Sequence, residues 1–520
     1  MMNHKLRNVA VLIGLAVVVR TLLPLPVYAH GFGDRYDLPV PLWLYITGAG
    51  ASVAFSFVVI GLYMRASPGR TSYPRLNLLR WSAGRALAHP ILLQVVKAAF
   101  VALFVGTIAA GILGNQNPSR NLAPTMVWVI WWVGMAYISA FVGNIWVVLN
   151  PWKTIFEWAD GLFKRVNSGD ELSLNASYPK RLGVWPGVVL FAAFAWVEIV
   201  FQGSAEPRTL SIFALLYSLI TWMGMLIYGK HQWLRHGEAF SLVFGYLSRL
   251  APTELRVKGV EIDCPDEFLN SEGSCVDDYE EFELASQDAK QWNLRPPAAG
   301  LLHAGGVSAS QMAFVLLLLS TVTFDGFTAT PFWNKVLLNT YQDFSFLGEH
   351  AVSGVTTAGL MVFPLLFLVV YLGFTLAMKL ASGGTMELGQ LARAFVYSLI
   401  PIALAYHLAH FFSFLLVQGQ LIIPLVSDPL GIGWDLFSTT GYSTNIGVIN
   451  AKFAWFLGVG TIVAGHIAAV YVAHLYAATL FPDRRSALHS QYPMLLLMVG
   501  YTMISLWILA QPIVEFTSGR

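Results

Sequence analysis

Charged side chains are scarce in this chain. Only 12% of its 520 residues are Asp, Glu, Lys or Arg, whereas 56% are hydrophobic and the mean hydropathy is +0.61. A soluble globular domain carries about 25% charged residues, so the composition excludes that class. The formal net charge of +2 is small, and no nucleic-acid partner is expected. The chain is therefore predicted to be an integral membrane protein that is embedded in a lipid bilayer.

Cysteine is nearly absent, and so are the short motifs of several enzyme classes. Cys264 and Cys275 have no histidine or further cysteine beside them and do not match a zinc signature. In a cytoplasmic segment they would stay reduced, whereas on the opposite side of the membrane they could form a small disulfide loop. The sequence contains no P-loop, no H-E-x-x-H, no C-x-x-C-H and no G-x-S-x-G motif. These absences disfavour an ATP-driven pump and a c-type cytochrome.

Long apolar runs are abundant instead. Residues 1–29 predict a cleaved signal peptide, because Lys5 and Arg7 precede an apolar run and Ala29 offers a small residue at the cleavage point. The remaining runs predict an all-α polytopic bundle, since about 20 apolar residues cross a hydrocarbon core of about 30 Å. The ten predicted spans are Pro41–Met64, Ile91–Leu113, Met126–Leu149, Val184–Phe201, Leu210–Tyr228, Val307–Phe324, Val352–Met378, Leu391–Val417, Phe453–Ala477 and Met494–Ile513.

The distribution of Lys and Arg predicts the orientation of these spans. If the mature N-terminus is exported, the inner segments carry 21 of these residues and the outer segments carry six. Cytoplasmic segments hold the excess of basic residues in membrane proteins. We therefore expect a multi-pass protein of the bacterial inner membrane whose mature N-terminus lies outside.

One polar insert divides the membrane region into two halves, at 30–253 and 301–520. Residues 254–295 contain twelve acidic side chains and four basic ones, and the favoured interpretation of 254–300 is a solvated cytoplasmic linker. The preceding segment, Ala239–Leu250, is too short to span and is expected to lie along the membrane surface. In the first half, Lys97 and Glu198 could pair with each other or extend toward the membrane surface.

Histidines within apolar runs of the second half indicate a functional site, because ionisable groups are costly inside a bilayer. His407 and His410 are three residues apart and share one helix face. Asp325 is expected at a similar depth, and His466 lies on the next span. Imidazole and carboxylate groups are ligands for zinc, iron or copper, so His407, His410 and His466 are candidate metal ligands. The candidate catalytic residues are Asp325, Glu349 and His350.

Several interpretations of these histidines remain open. Each could make an interhelical hydrogen bond, which is commoner than a metal site. A haem could be held by axial histidines on the eighth and ninth spans. Alternatively, His407, His410, His466 and His474 could form a series of sites that pass protons, copper or another solute across the membrane. Partner subunits are not predicted by any of these patterns.

Five segments also carry a resemblance to a known group of proteins: HGFGDRYDLPVPLWLY, STVTFDGFTATPFW, AYHLAHFFSFLLVQGQ, SDPLGIGWDLF and AGHIAAVYVAH. They resemble bacterial polytopic membrane proteins of which some are named fenitrothion hydrolase. The resemblance implies hydrolysis of a small apolar organophosphate triester. In a metal-assisted mechanism, a metal held by His407, His410 and Asp325 would activate water, and Glu349 or His350 would act as a base. The H-x-H motif of soluble phosphotriesterases is absent.

Overall fold

The computed structural model describes residues 36–63, 73–258, 264, 268–269, 273–302, 306–343, 350–384, 386–481, 483–511 and 514–515. The predicted signal peptide and Glu349 lie outside these residues. Within them, helices dominate and strands are few and short. The prediction of an all-α polytopic bundle is confirmed.

The main helices are numbered in chain order. They are α1 (Leu42–Tyr63), α2 (Pro90–Leu113), α3 (Leu122–Phe141), α4 (Pro151–Val166), α5 (Trp185–Ile199), α6 (Pro207–Tyr228), α7 (Lys230–His236), α8 (Ala239–Ser248), α9 (Tyr279–Leu284), α10 (Ala309–Thr328), α11 (Pro331–Asp343), α12 (His350–Ala381), α13 (Leu388–Ser427), α14 (Ala451–Leu480) and α15 (Arg484–Ala510). The strands are β1 (Tyr36–Asp37), β2 (Leu76–Asn77), β3 (Thr253–Val257), β4 (Cys275–Val276), β5 (Lys290–Leu294) and β6 (Val514–Glu515).

Among the described residues, nine helices are long and apolar enough to cross a membrane: α1, α2, α3, α6, α10, α12, α13, α14 and α15. The predicted span Val184–Phe201 is an exception, because its helix α5 has only 15 residues. Strand pairing bears on the number of crossings. The strand β1 pairs with β6, and β2 pairs with β5, so each pair must lie on one side of the membrane. Both pairings demand an odd number of crossings beyond those of the long helices, and the two shorter apolar helices, α5 and α8, lie in the intervening sequence.

The two halves of the sequence interlock in the bundle. Helix α1 packs against α14 and α15 at the far end of the chain. In the centre, α10 packs against α5, α12 and α13, while α3 contacts α13 and α8. Helices from both halves therefore surround one core, and polar groups that are far apart in sequence can meet there.

The acidic insert contains more structure than a solvated linker would. Strands β2, β5, β3 and β4 form a four-stranded sheet, all of whose pairings are antiparallel. Cys264 and Cys275 form a disulfide, so the expectation of two reduced thiols is wrong. Cys275 is the first residue of β4 and also forms a β-bridge with Leu269, and this tertiary placement of Cys275 is not revealed by sequence spacing alone. A disulfide is typical of an oxidising compartment, whereas the distribution of basic residues in the sequence predicts a cytoplasmic insert.

Helix α8 also departs from expectation. Eight of its ten residues are buried, so it does not lie along the membrane surface. Its N-terminus is capped by the buried side chain of Glu238, which accepts hydrogen bonds from the backbone N–H groups of Phe240 and Ser241 at 2.9 and 2.8 Å. The Tyr217 hydroxyl donates to the same carboxylate. This capping satisfies helix-end groups that could not be left without partners inside the protein.

A cluster of lysines faces the insert at the end of the bundle. The Glu157 carboxylate lies 3.3 Å from Lys97, 3.5 Å from Lys153 and 3.0 Å from Lys230. Lys97 therefore pairs with Glu157 and not with Glu198. Burial alone would raise the pKa of the Glu157 carboxyl, but the three lysines outweigh it and hold the pKa at about 2. Burial lowers the pKa of Lys153, and the neighbouring cations Lys97 and Lys230 lower it further.

The substitution Glu157→Gln should destabilise the protein at neutral pH by about 3 kcal/mol, the equivalent of the shift in pKa from 4.5 to about 2. Because the folded-state pKa is depressed, this stabilisation is present above the unfolded pKa and is lost as the pH falls toward 2. Thermal unfolding in detergent, measured from pH 7 downward, should show the two proteins converging at acidic pH. A constant difference across the whole pH range would contradict the assignment.

The disulfide predicts that the purified, denatured protein has no thiol that reacts with a maleimide until a reductant is added, and two thereafter. Either Cys264→Ser or Cys275→Ser should destabilise the insert by about 3 kcal/mol, the loop-closure value for a short loop. Limited proteolysis should then cut the insert faster. The double substitution serves as the control and should match either single one, since all three remove the same bond.

Candidate intramembrane site

The structure brings together two of the residues singled out in the sequence. The Nε2 atom of His410, on α13, lies 2.8 Å from a carboxylate oxygen of Asp325, near the end of α10. Both side chains are largely but not completely buried. The predicted proximity of His410 and Asp325 is therefore found in the structure, and the pair is set within two membrane-spanning helices.

A second carboxylate joins the site from the first half of the chain. Glu198, at the end of the short helix α5, accepts a hydrogen bond of 2.8 Å from the indole N–H of Trp132. Trp132 belongs to a π-helical stretch of α3, Thr125–Val133, and such stretches are common at functional sites. The indole N–H of Trp128, in the same stretch, donates to the Ser204 carbonyl oxygen at 2.9 Å. The two tryptophans thus fix the end of α5 and aim Glu198 into the bundle.

His407 faces the same place as these carboxylates. Glu198, Asp325 and His407 line one cavity of about 30 Å³, together with Trp132 and Thr321. Glu198 and Asp325 interact electrostatically across it. The His407 ring is packed edge-on against Trp132, and its buried Nε2 has no hydrogen-bond partner among the described protein groups. The cavity is large enough for about one or two water molecules.

Glycine allows α10 and α13 to approach closely beside Asp325. A side chain at Gly326 would collide with the Tyr406 hydroxyl, and the Tyr406 ring lies 6.4 Å from the His410 ring. Tyr406 interacts electrostatically with Asp325. The close approach therefore holds an aromatic wall against the Asp325–His410 pair.

Other predicted site residues are not brought to this cavity. His350 is exposed at the start of α12 and is not among the lining residues, and Glu349 lies outside the described residues. His466 is fully buried on α14, where its Nδ1 lies 2.8 Å from the Ile462 carbonyl oxygen. His474 lies 3.0 Å from the Gln491 side-chain oxygen. The His474 contact joins α14 to α15, as the interpretation of an interhelical hydrogen bond expects, whereas the His466 contact lies within α14.

Sequence reasoning missed Glu198 and Trp132. Glu198 carries the same signal as the histidines, namely an ionisable group within an apolar run. Glu198 was not included in the site because Lys97, in the same half of the chain, could have been its partner of opposite charge. A tryptophan in an apolar run has no comparable signal, because aromatic residues are common in membrane helices.

Two features of the structure bear on the cofactor hypotheses. Within the described part of the chain, no three His, Cys, Asp or Glu side chains are placed so that they could hold a metal ion. A haem between His407 and His466 is opposed by the packing of α13 on α14. An ideal Cβ on Gly465 would touch Ala405 and lie 2.8 Å from the Pro401 carbonyl oxygen, so no space for a macrocycle separates these helices there.

Comparisons of this chain with protein-family models, with curated proteins and with solved structures find no match. The case for a function therefore rests on the geometry of the site itself.

The packing at Gly465 predicts a large effect of Gly465→Ala, because the obstacle is the backbone of α13. We expect destabilisation by about 1–3 kcal/mol, which is typical of overpacking, measured as a lower unfolding temperature in detergent. Gly460→Ala is the matched control on the same helix, since a methyl group there has nothing within 4 Å. That variant should be unchanged or slightly more stable, because alanine favours helix more than glycine does. Equal effects of the two substitutions would refute the close packing.

Proposed function

We propose that this protein is a proton-coupled membrane transporter, in which Glu198, Asp325, His407 and His410 form the proton-binding site. The observation that carries the proposal is that two carboxylates and a histidine, His407, share one small cavity inside the bundle. Ionisable groups inside transmembrane helices face cavities and form proton relays in pumps and transporters. Two carboxylates in one enclosed place repel each other, so a positively charged species is what the site accommodates.

The size of the cavity favours a proton over a larger substrate. Sites for drug-sized ligands have volumes of about 300–1,000 Å³, whereas this cavity has about 30 Å³. Two larger cavities of about 380 and 430 Å³ are lined mainly by apolar side chains. The larger of them lies against Leu319 and Thr323 of α10, which face away from Asp325 because of the helical period. An organophosphate in that cavity would be separated from the carboxylate by the helix.

Short helices inside the bundle support transport as well. Discontinuous or unusually short helices commonly form the substrate sites of secondary transporters. Glu198 lies in the last turn of α5, and the side chains of Val243 and Leu247 on α8 line the same cavity. The proton-binding site is thus bounded by the two helices that are too short to span the membrane on their own.

The proposal predicts that Glu198 and Asp325 change protonation as the pH is varied. Infrared difference spectra of the reconstituted protein between two pH values should contain a carboxyl C=O band that Glu198→Gln or Asp325→Asn removes or shifts. Glu206→Gln is the control, because Glu206 is an exposed glutamate a few residues beyond α5. Identical spectra for the wild type and both site variants would rule out this proton-binding site.

Hydrolysis of an organophosphate remains a hypothesis that the resemblance supplies, and it has a direct test. Detergent-purified protein is analysed for zinc, iron and copper and assayed for nitrophenol release from fenitrothion, alongside the His407→Ala/His410→Ala variant. The transporter proposal predicts no stoichiometric metal and no release above background. About one metal per chain that is lost in the double variant, together with nitrophenol release, would favour the hydrolase over the transporter.

A further inference from the structure

A second polar cavity lies between the membrane bundle and the acidic insert. Its volume is about 160 Å³, which is comparable to a cavity that accommodates benzene. The cavities of about 380 and 430 Å³ face apolar side chains, whereas this one is lined by charged, amide and hydroxyl groups as well as by apolar side chains. Its size and polarity suit a small polar solute.

The two walls of this cavity carry opposite charge. The wall formed by the membrane helices and the segments that join them presents Lys153, Arg235 and Arg249, with the amides of Asn144 and Asn150. On that wall, none of the lining residues is acidic, and the Glu157 carboxylate lies behind it, 3.5 Å from Lys153. The wall formed by the insert presents the carboxylates of Asp277, Asp278 and Glu280.

The pKa of His231 reflects burial of the ring and the positive potential of the membrane wall. Burial, assisted by Lys230, Lys153 and Arg235, lowers the pKa of His231 to about 3. His231 is therefore neutral at physiological pH, even though Glu280 lies 3.3 Å away. The surrounding cations thus exert a stronger effect on this ring than the nearby acid does.

Carboxylates of the insert bind the cations of the membrane wall. Asp278 lies 2.7 Å from the Arg235 guanidinium, and Glu283 lies 3.5 Å from Lys153. The ring of Tyr279 stacks beneath the Lys153 ammonium at 4.2 Å. These contacts hold the insert over the cavity, and they occupy the cations in the way that an anionic solute would.

The cavity is separated from the proton-binding site by a single helix. Ser241 and Gly245 of α8 line the cavity beneath the insert. Val243 and Leu247, on other faces of the same helix, line the cavity that holds Glu198 and His407. A shift of α8 would therefore change the shape of both cavities at once.

We propose that the membrane wall of this cavity, centred on Lys153 and Arg235, is a binding site for a small oxyanion and that the insert is its lid. The carboxylates of Asp278 and Glu283 take the place of the anion while the lid is closed. We further infer that this anion is the transported solute, and that a transported proton would offset its negative charge. This second step rests on the proposed function, whereas the anion site and its lid do not. The shared chemistry is a carboxylate or phosphate group of a solute with about ten heavy atoms or fewer.

The test uses the rate at which an introduced thiol is alkylated in the full-length protein. Both native cysteines are paired in a disulfide, so Gly245→Cys adds one reactive thiol at the cavity. The position tolerates a side chain, since its Cβ would lie 3.8 Å from the nearest group, the Asn144 amide nitrogen. Ser177→Cys, at an exposed position of the loop between α4 and α5, reports the uncovered rate.

Loosening the lid should expose the cavity. Asp278→Asn together with Glu283→Gln removes two lid charges, while asparagine can still cap α9. We expect alkylation of Gly245→Cys by a charged maleimide to accelerate about tenfold, which corresponds to roughly 1.4 kcal/mol, and Ser177→Cys to be unaffected. Glu283→Gln alone provides a second variant if the pair does not fold. An unchanged rate in both lid variants would overturn the role of the insert as a lid.

Anions should then protect the thiol. In the lid variant, inorganic phosphate or succinate should slow alkylation of Gly245→Cys relative to sodium chloride at equal ionic strength, and adding Arg235→Gln should abolish that protection. Protection by phosphate alone or succinate alone identifies the class of anion. Equal rates in phosphate, succinate and chloride would overturn the anion site. Protection that persists in a protein whose infrared spectra show no protonation of Glu198 or Asp325 would retain the anion site and remove only the proton coupling.

Discussion

The inability of lipid hydrocarbon to form hydrogen bonds is the constraint on which the rest of this structure depends. A polar group at membrane depth is costly unless it finds a partner within the protein or faces a cavity. The indole N–H of Trp132 donates a hydrogen bond to Glu198, and the imidazole of His410 is hydrogen-bonded to Asp325. These pairings require α3, α5, α10 and α13 to meet at one place. The site is thus a consequence of how the bundle satisfies its own buried charges.

The same constraint explains how helix α8 is held inside the bundle. A helix of ten residues cannot cross a hydrocarbon core of about 30 Å, and its free N–H groups would be costly inside the bundle. Glu238 caps that end and is itself hydrogen-bonded by Tyr217. A buried anion is tolerated here because it is fully partnered. The resulting short helix forms a thin wall between a small acidic cavity and a larger polar one, which is an arrangement suited to coupling two ligands.

Charge is arranged differently at the insert side. Three lysines surround Glu157, and the cations nearest the insert are matched by acids on the insert itself. The same basic residues that would orient the spans during insertion therefore have a second use as the cationic wall of a cavity. The disulfide and the short sheet give the acidic segment enough rigidity to present its carboxylates to that wall. A flexible linker of the same composition would present them only transiently.

The sequence by itself determined the membrane class, the positions of the spans, and the presence of ionisable groups at depth. These properties are local, since hydropathy and helical spacing depend on neighbouring residues alone. His407, His410 and Asp325 could be recognised for this reason. Only the tertiary structure decided that Glu198 joins them while Lys97 turns to Glu157, that α8 lies inside the bundle, and that Cys264 bonds to Cys275. Each of these outcomes depends on which helix faces or loop segments meet, and that is set by packing between residues whose contact no local pattern encodes.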